Sequence, residues 1–148
     1  MDNGDRDLAI APNGAAGARP IPIRELAAAA GGGAVDLDET IVGHLHFRRE
    51  WLDRQAIDPT QADVLKVRGE SMEPTLPDDC SILMDRRRRA PRSGRIYVVR
   101  TDEGIVVKRA RRHSGRWILS SDHPTWPPRP WPADAELIGE VRWMARTF

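Results

Sequence analysis

The chain has 148 residues, 40% hydrophobic and 30% charged, with a net charge of +1 and one cysteine. These values fit one globular domain with a tail, and they exclude a disulfide framework, an all-cysteine metal site and a strongly basic surface that would draw in nucleic acid by charge alone. No apolar run approaches the roughly 20 residues of a membrane helix, and Met1-Asp2-Asn3-Gly4-Asp5 is acidic where a secretory leader is basic, so a cytoplasmic location without membrane attachment is expected.

Residues 1–20 are rich in Ala, Gly, Asn and Asp without a helical apolar stripe, and read as a disordered tail. Ile21-Pro22-Ile23 is extended, because prolines at 20 and 22 exclude a helix. Four alanines, 27–30, run into Gly31-Gly32-Gly33, which ends any helical turn they form. Val35 to Phe47 alternates loosely, as a short strand would, and Phe47, Trp51 and Leu52 then predict a short helix over 48–55. From residue 64 the pattern is strands: 64–68, 81–84, 96–100, 105–109, 117–120 and 136–146. Asp102-Glu103-Gly104 and Ser114-Gly115 are turn signals between them. A proline-rich loop, 124–132, carries Trp126 and Trp131, which are expected to pack over the core edge. The reading is a mainly β domain of short antiparallel strands over 61–148, preceded by a segment, 21–60, with the short helix. No pair of consecutive amphipathic helices is present, so no helix-turn-helix and no direct DNA binding are expected.

The informative stretch is Gly69-Glu70-Ser71-Met72-Glu73-Pro74-Thr75-Leu76, between two predicted strands. A serine held on a tight turn exposes its hydroxyl and brings backbone N–H groups to where an oxyanion would form. A purely structural turn fits those residues equally well. Lys108 follows Ile105-Val106-Val107 in an apolar strand, 37 residues after Ser71. Burial disfavours a charged lysine, and a neutral amine can take a proton from a serine hydroxyl. Alone, Lys108 also suits a solvated strand face.

Together the two segments resemble the nucleophile and base boxes of the LexA, UmuD and phage-repressor peptidases. Three further boxes are similar in order: Gly94-Arg95-Ile96-Tyr97-Val98, Leu119-Ser120-Ser121-Asp122-His123-Pro124-Thr125-Trp126 and Ile138-Gly139-Glu140-Val141-Arg142-Trp143. The resemblance implies a LexA-like, signal-peptidase-like β-clip fold, Ser71 as nucleophile, Lys108 as base, and a nucleophile turn of Gly69, Glu70 and Met72. It implies no cofactor and no metal. It also implies cleavage of the chain's own upstream segment at an Ala-Gly bond, for which Ala30-Gly31 is the match; Ala34-Val35 and Ala16-Gly17 are other registers, and residues 27–34 read equally as a plain linker. A homodimer, a repressor system and stimulation by a RecA–DNA filament in an SOS-type response are further family expectations.

Three positions depart from the family pattern. Asp78-Asp79-Cys80 stands where Asp-Gly-Asp is usual, and His123 where Asn is usual. The run Arg86-Arg87-Arg88-Arg89 is read as a solvated loop, with phosphate contact as the alternative. The four histidines, His44, His46, His113 and His123, lack metal-ligand spacing, and Cys80 reads as a small core residue. Two other functions compete with self-cleavage. A signal peptidase has a similar serine box but needs a membrane anchor. A non-catalytic dimerisation or partner-binding module needs neither Ser71 nor Lys108.

Overall fold

The structure, a computed structural model, describes residues 8–12, 14–25 and 40–147. Among the described residues nine strands, β1 (Ala18–Arg24), β2 (Ile41–Arg48), β3 (Ala62–Lys66), β4 (Ser81–Asp85), β5 (Ile96–Thr101), β6 (Gly104–His113), β7 (Arg116–Ser120), β8 (Arg129–Pro130) and β9 (Glu136–Ala145), form one sheet. Their order is β2-β1-β3-β4-β9-β5-β6-β7-β8, antiparallel throughout except for a short parallel contact between β1 and β3. This is the mainly β architecture expected of a β-clip domain.

The expected mobile tail does not extend through residues 8–12 and 14–20. Ala11 N–H donates to His46 O and Arg48 N–H to Ala9 O, both at 2.7 Å, and β1 already starts at Ala18. Ala9 and Ala11 are buried, while Ile10 bridges Phe47. Alanines carry too little apolar surface to show as a stripe in sequence, yet their small side chains let the chain lie close against β2. The short helix is α1 (Arg49–Gln55), which buries Trp51 and Leu52 and ends at Ala56 in the left-handed conformation, φ 53°. Glu50 in its first turn and Arg54 in its last suit the helix dipole.

Three apolar clusters hold the sheet. The first gathers Ile21, Phe47, Trp51, Leu52, Val64 and Leu83, with Phe47 stacked on Trp51 and edge-on to Trp143. The second lies under the β3–β4 loop and contains Leu65, Met72, Leu76, Cys80, Ile82 and Val98. The third gathers Tyr97, Val99, Ala110 and Leu119, with Trp117 and Trp131 packed against it at 6.3 Å between their rings. Trp131 thus sits over the core edge as expected. Trp126 does not: it is exposed, and its ring lies T-shaped against that of His123.

The arginine run is solvated only in part: Arg87 and Arg89 are exposed, but Arg86 and Arg88 face buried acids. Arg86 Nε reaches Oδ2 of buried Asp63 at 2.7 Å, opposite Arg24 Nε on Oδ1 at 2.6 Å. Arg87 donates to Ala56 O, and Arg88 lies 3.4 Å from buried Asp85 and 3.8 Å from buried Glu140. These guanidiniums neutralise carboxylates that the sheet has taken out of water, where an unpaired charge is costly. Sequence order hides this, because the partners come from β3, β4 and β9.

Candidate active site

Ser71 lies in the β3–β4 loop. Val67 N–H donates to Cys80 O and Asp79 N–H to Val67 O, each at 2.8 Å, which closes the loop at its base. Met72 and Leu76 are buried below it, so the residue after Ser71 is anchored in the core. Gly69 takes φ +97°, and its N–H donates to Asp78 Oδ1 at 2.8 Å. A side chain at Gly69 would be strained by that φ, which explains the glycine two residues before the serine. Asp79, where the family pattern has glycine, adopts φ 66°. Aspartate is among the few residues that tolerate this conformation, so the substitution keeps the turn. Among the described residues no hydrogen bond engages the backbone N–H of Glu70, Ser71 or Met72.

Lys108 is carried by β6, opposite Tyr97 on β5. Its Nζ donates to Ser71 Oγ at 3.1 Å and to Ser121 Oγ at 2.8 Å. Burial holds the amine below the ordinary lysine range; the charge of Arg129 acts the same way, and Glu103 opposes it. A neutral amine at this position has one lone pair and two hydrogens. It can accept the Ser71 proton over the same distance while still donating to Ser121.

The Ser121-Asp122-His123 segment borders both residues. His123 N–H donates to Ser71 O at 3.0 Å, so a backbone group makes this contact and the departure from Asn does not remove it. The His123 ring accepts from Thr125 N–H at 3.2 Å, as a short polar side chain does in a turn. Asp122 is held by Arg109, whose Nε and Nη2 donate to its two oxygens at 2.8 and 2.6 Å, and by Thr75 Oγ1 at 2.6 Å. The Arg109 hydrogen bonds keep the Asp122 carboxyl below the usual range, against its partial burial.

The sequence-predicted residues Ser71 and Lys108 are therefore adjacent, and Gly69, Glu70 and Met72 surround the serine. Ala30 and Gly31 lie outside the described residues. Sequence reasoning missed Ser121 and the Arg109–Asp122–Thr75 cluster. The only signal was Arg109 directly after Lys108 and an acid in a later box; nothing in one dimension pairs them. Cys80 is fully buried and its thiol is pushed up by burial, which leaves it a core residue. No described helix is long and apolar enough to cross a membrane.

A β-clip sheet with an adjacent serine and half-buried lysine defines a class of peptidase-like domains. The Peptidase S24-like family matches residues 22–144, and the chain belongs to that family. It is 33% identical over 97 residues to a LexA repressor of Bordetella petrii, a match covering 65% of this chain and 43% of that protein. It is 35% identical over 77 residues to a LexA repressor of Dechloromonas aromatica, covering 52% and 38% respectively. The chain thus spans under half the length of these curated relatives, and what it shares with them is a LexA-like domain.

Proposed function

We propose that this domain is a self-cleaving serine endopeptidase in which Ser71 and Lys108 form the catalytic dyad. The observation that carries the reading is the 3.1 Å contact between Lys108 Nζ and Ser71 Oγ, made by an amine that burial drives toward its neutral form. The substrate is the chain's own upstream segment, cut between Ala30 and Gly31. Ser71 Oγ attacks the Ala30 carbonyl carbon as Lys108 takes the hydroxyl proton. The tetrahedral intermediate collapses, the Gly31 nitrogen leaves with the proton from Lys108, and Ala30 remains as an ester on Ser71. Water then hydrolyses the ester, with Lys108 again as base, and releases the Ala30 carboxylate. The N–H groups of Ser71 and its neighbours Glu70 and Met72 are the donors proposed for the oxyanion.

The relation to LexA repressors supports a place in a repressor system, as a cytoplasmic homodimer whose cleavage a RecA–DNA filament stimulates in an SOS-type response. In that reading residues 61–148 supply the peptidase domain and 21–60 the segment it cuts. Incubation of the purified chain at alkaline pH, followed by intact mass spectrometry, tests the proposal. Two fragments whose masses place the cut after Ala30, absent in Ser71→Ala and Lys108→Ala, are expected. An intact wild-type chain, or equal cleavage in the variants, overturns it.

A further inference from the structure

Resting on that peptidase reading, we propose that Asp122 is the positioning residue of the site: clamped by Arg109 and Thr75, it holds the segment that sets Ser71 against Lys108. The need for such a residue follows from the topology. The nucleophile loop joins β3 and β4, and the base sits on β6, yet β4, β9 and β5 intervene between β3 and β6 in the sheet. No strand ladder sets the distance between serine and lysine. Apolar contact of Met72 and Leu76 with the cluster that Ile105 and Val107 pack against brings the loop near β6. Such packing is non-directional and does not by itself fix a hydroxyl within hydrogen-bond reach of an amine.

Directional contacts come from three consecutive residues after β7. Ser121 Oγ accepts from Lys108 Nζ at 2.8 Å, and His123 N–H donates to Ser71 O at 3.0 Å. Asp122, between them, links the same two chain segments one step further out. Thr75, four residues after Ser71, and Arg109, next to Lys108, both donate to its carboxylate. Two parallel guanidinium bonds to one carboxylate fix orientation as well as distance. Arg109 is itself held, because its Nη1 donates to Gly94 O. The pair is shielded, with side chains 19% and 10% exposed, so water screens it weakly. The hydrogen bonds of the Asp122 carboxylate run to Thr75 and Arg109 rather than to Ser71 or Lys108; it acts by holding Ser121 and His123.

The test compares Asp122→Asn and Thr75→Val with the wild-type chain by two readouts. The first is the self-cleavage rate against pH. Asp122→Asn is expected to lower the plateau rate roughly 10- to 100-fold, the scale of loss for a small misplacement of reacting groups. The midpoint of the pH profile should stay in place, because the protonation of Lys108 is governed by burial and Arg129. Thr75→Val should cost several-fold, and the double variant no more than Asp122→Asn alone. The second readout is amide hydrogen exchange at His123, which does not depend on cleavage. It should quicken in both variants while the core amide of Val98 keeps its wild-type rate. Thr75 is exposed, so its variant carries the test if Asp122→Asn fails to fold. Wild-type exchange at His123 in both variants overturns the proposal. So does a shifted midpoint with an unchanged plateau, which would make Asp122 an electrostatic group. If the wild-type chain does not cleave but His123 exchange responds, the peptidase reading falls and the clamp stands.

Discussion

Replacing Lys108 with methionine separates the role of the amine from that of its stem. Methionine keeps an unbranched chain for the half-buried position and removes the charge, the proton acceptor and the hydrogen bonds to Ser71 and Ser121. At neutral pH a lysine of ordinary pKa is uncharged in about one molecule in three thousand. Burial lowers the Lys108 value, and each unit of lowering gives tenfold more neutral amine. The self-cleavage rate should therefore rise about tenfold per pH unit, then level at a midpoint below the ordinary 10.5. Lys108→Met should lose roughly 10²- to 10⁴-fold in rate, the usual contribution of a positioned base, and with it the pH slope. Stability should move the other way. Because the folded pKa is depressed, the unfolded chain binds more protons between that value and 10.5, so stability rises with pH across this window. Below it the fold carries the full cost of a partly desolvated ammonium. The methionine variant lacks that cost and should be at least as stable as wild type at neutral pH. Time courses by intact mass spectrometry from about pH 6 to about pH 11, with urea melts alongside, measure both effects. A rate independent of pH, or a variant that cleaves within about threefold of wild type, would refute the assignment of Lys108 as base.

Two further outcomes concern the frame around the site. Asp63→Ala removes a buried carboxylate shared by Arg24 and Arg86, at 2.6 and 2.7 Å, and leaves two guanidiniums without it. Loss of about 3 kcal/mol is expected, some of the full penalty being recovered as the arginines regain water. That corresponds to a melting point about 10 °C lower by circular dichroism; a shift under about 2 °C would show that the arginines find other partners. Gly139→Ala places a Cβ 2.7 Å from both Asp85 O and Met84 Cγ, just beyond the Asp85–Glu140 end of the β4–β9 pairing. Met84 can rotate but the Asp85 carbonyl cannot, so about 2 kcal/mol of destabilisation is expected in a urea melt. An unchanged midpoint would mean that the two strands separate there without cost.

Much of the strand pattern was legible because short apolar runs rich in valine and isoleucine, bounded by turn signals, mark strands even where β3, β4 and β5 are buried on both faces. β5, β6 and β7 appear within a few residues of their expected bounds, as does the hairpin turn at Asp102-Glu103-Gly104. β8 was hidden, since Arg129–Pro130 is only two residues long and lies in a proline-rich loop. β1 was legible at Ile21-Pro22-Ile23 but not back to Ala18, where alanine, arginine and proline carry no alternation. The packing of residues 8–12 was not legible either, because alanine contact with β2 depends on closeness rather than on apolar area.

For the site, the sequence by itself determined the two chemical groups. A glycine-serine turn between strands and a lysine in an apolar strand are local patterns, and their order along the chain carries the family resemblance. Only the tertiary structure decided that the two meet at 3.1 Å, because Ser71 lies in the β3–β4 loop and Lys108 on β6, which neighbours neither strand in the sheet. It also decided that Ser121 shares the amine, that Arg109 and Thr75 converge on Asp122, and that the arginine run covers buried acids. Each is an encounter between side chains many residues apart. A charged or hydroxyl group has the same local sequence whether it faces water or a partner, and only the folded sheet chooses between the two.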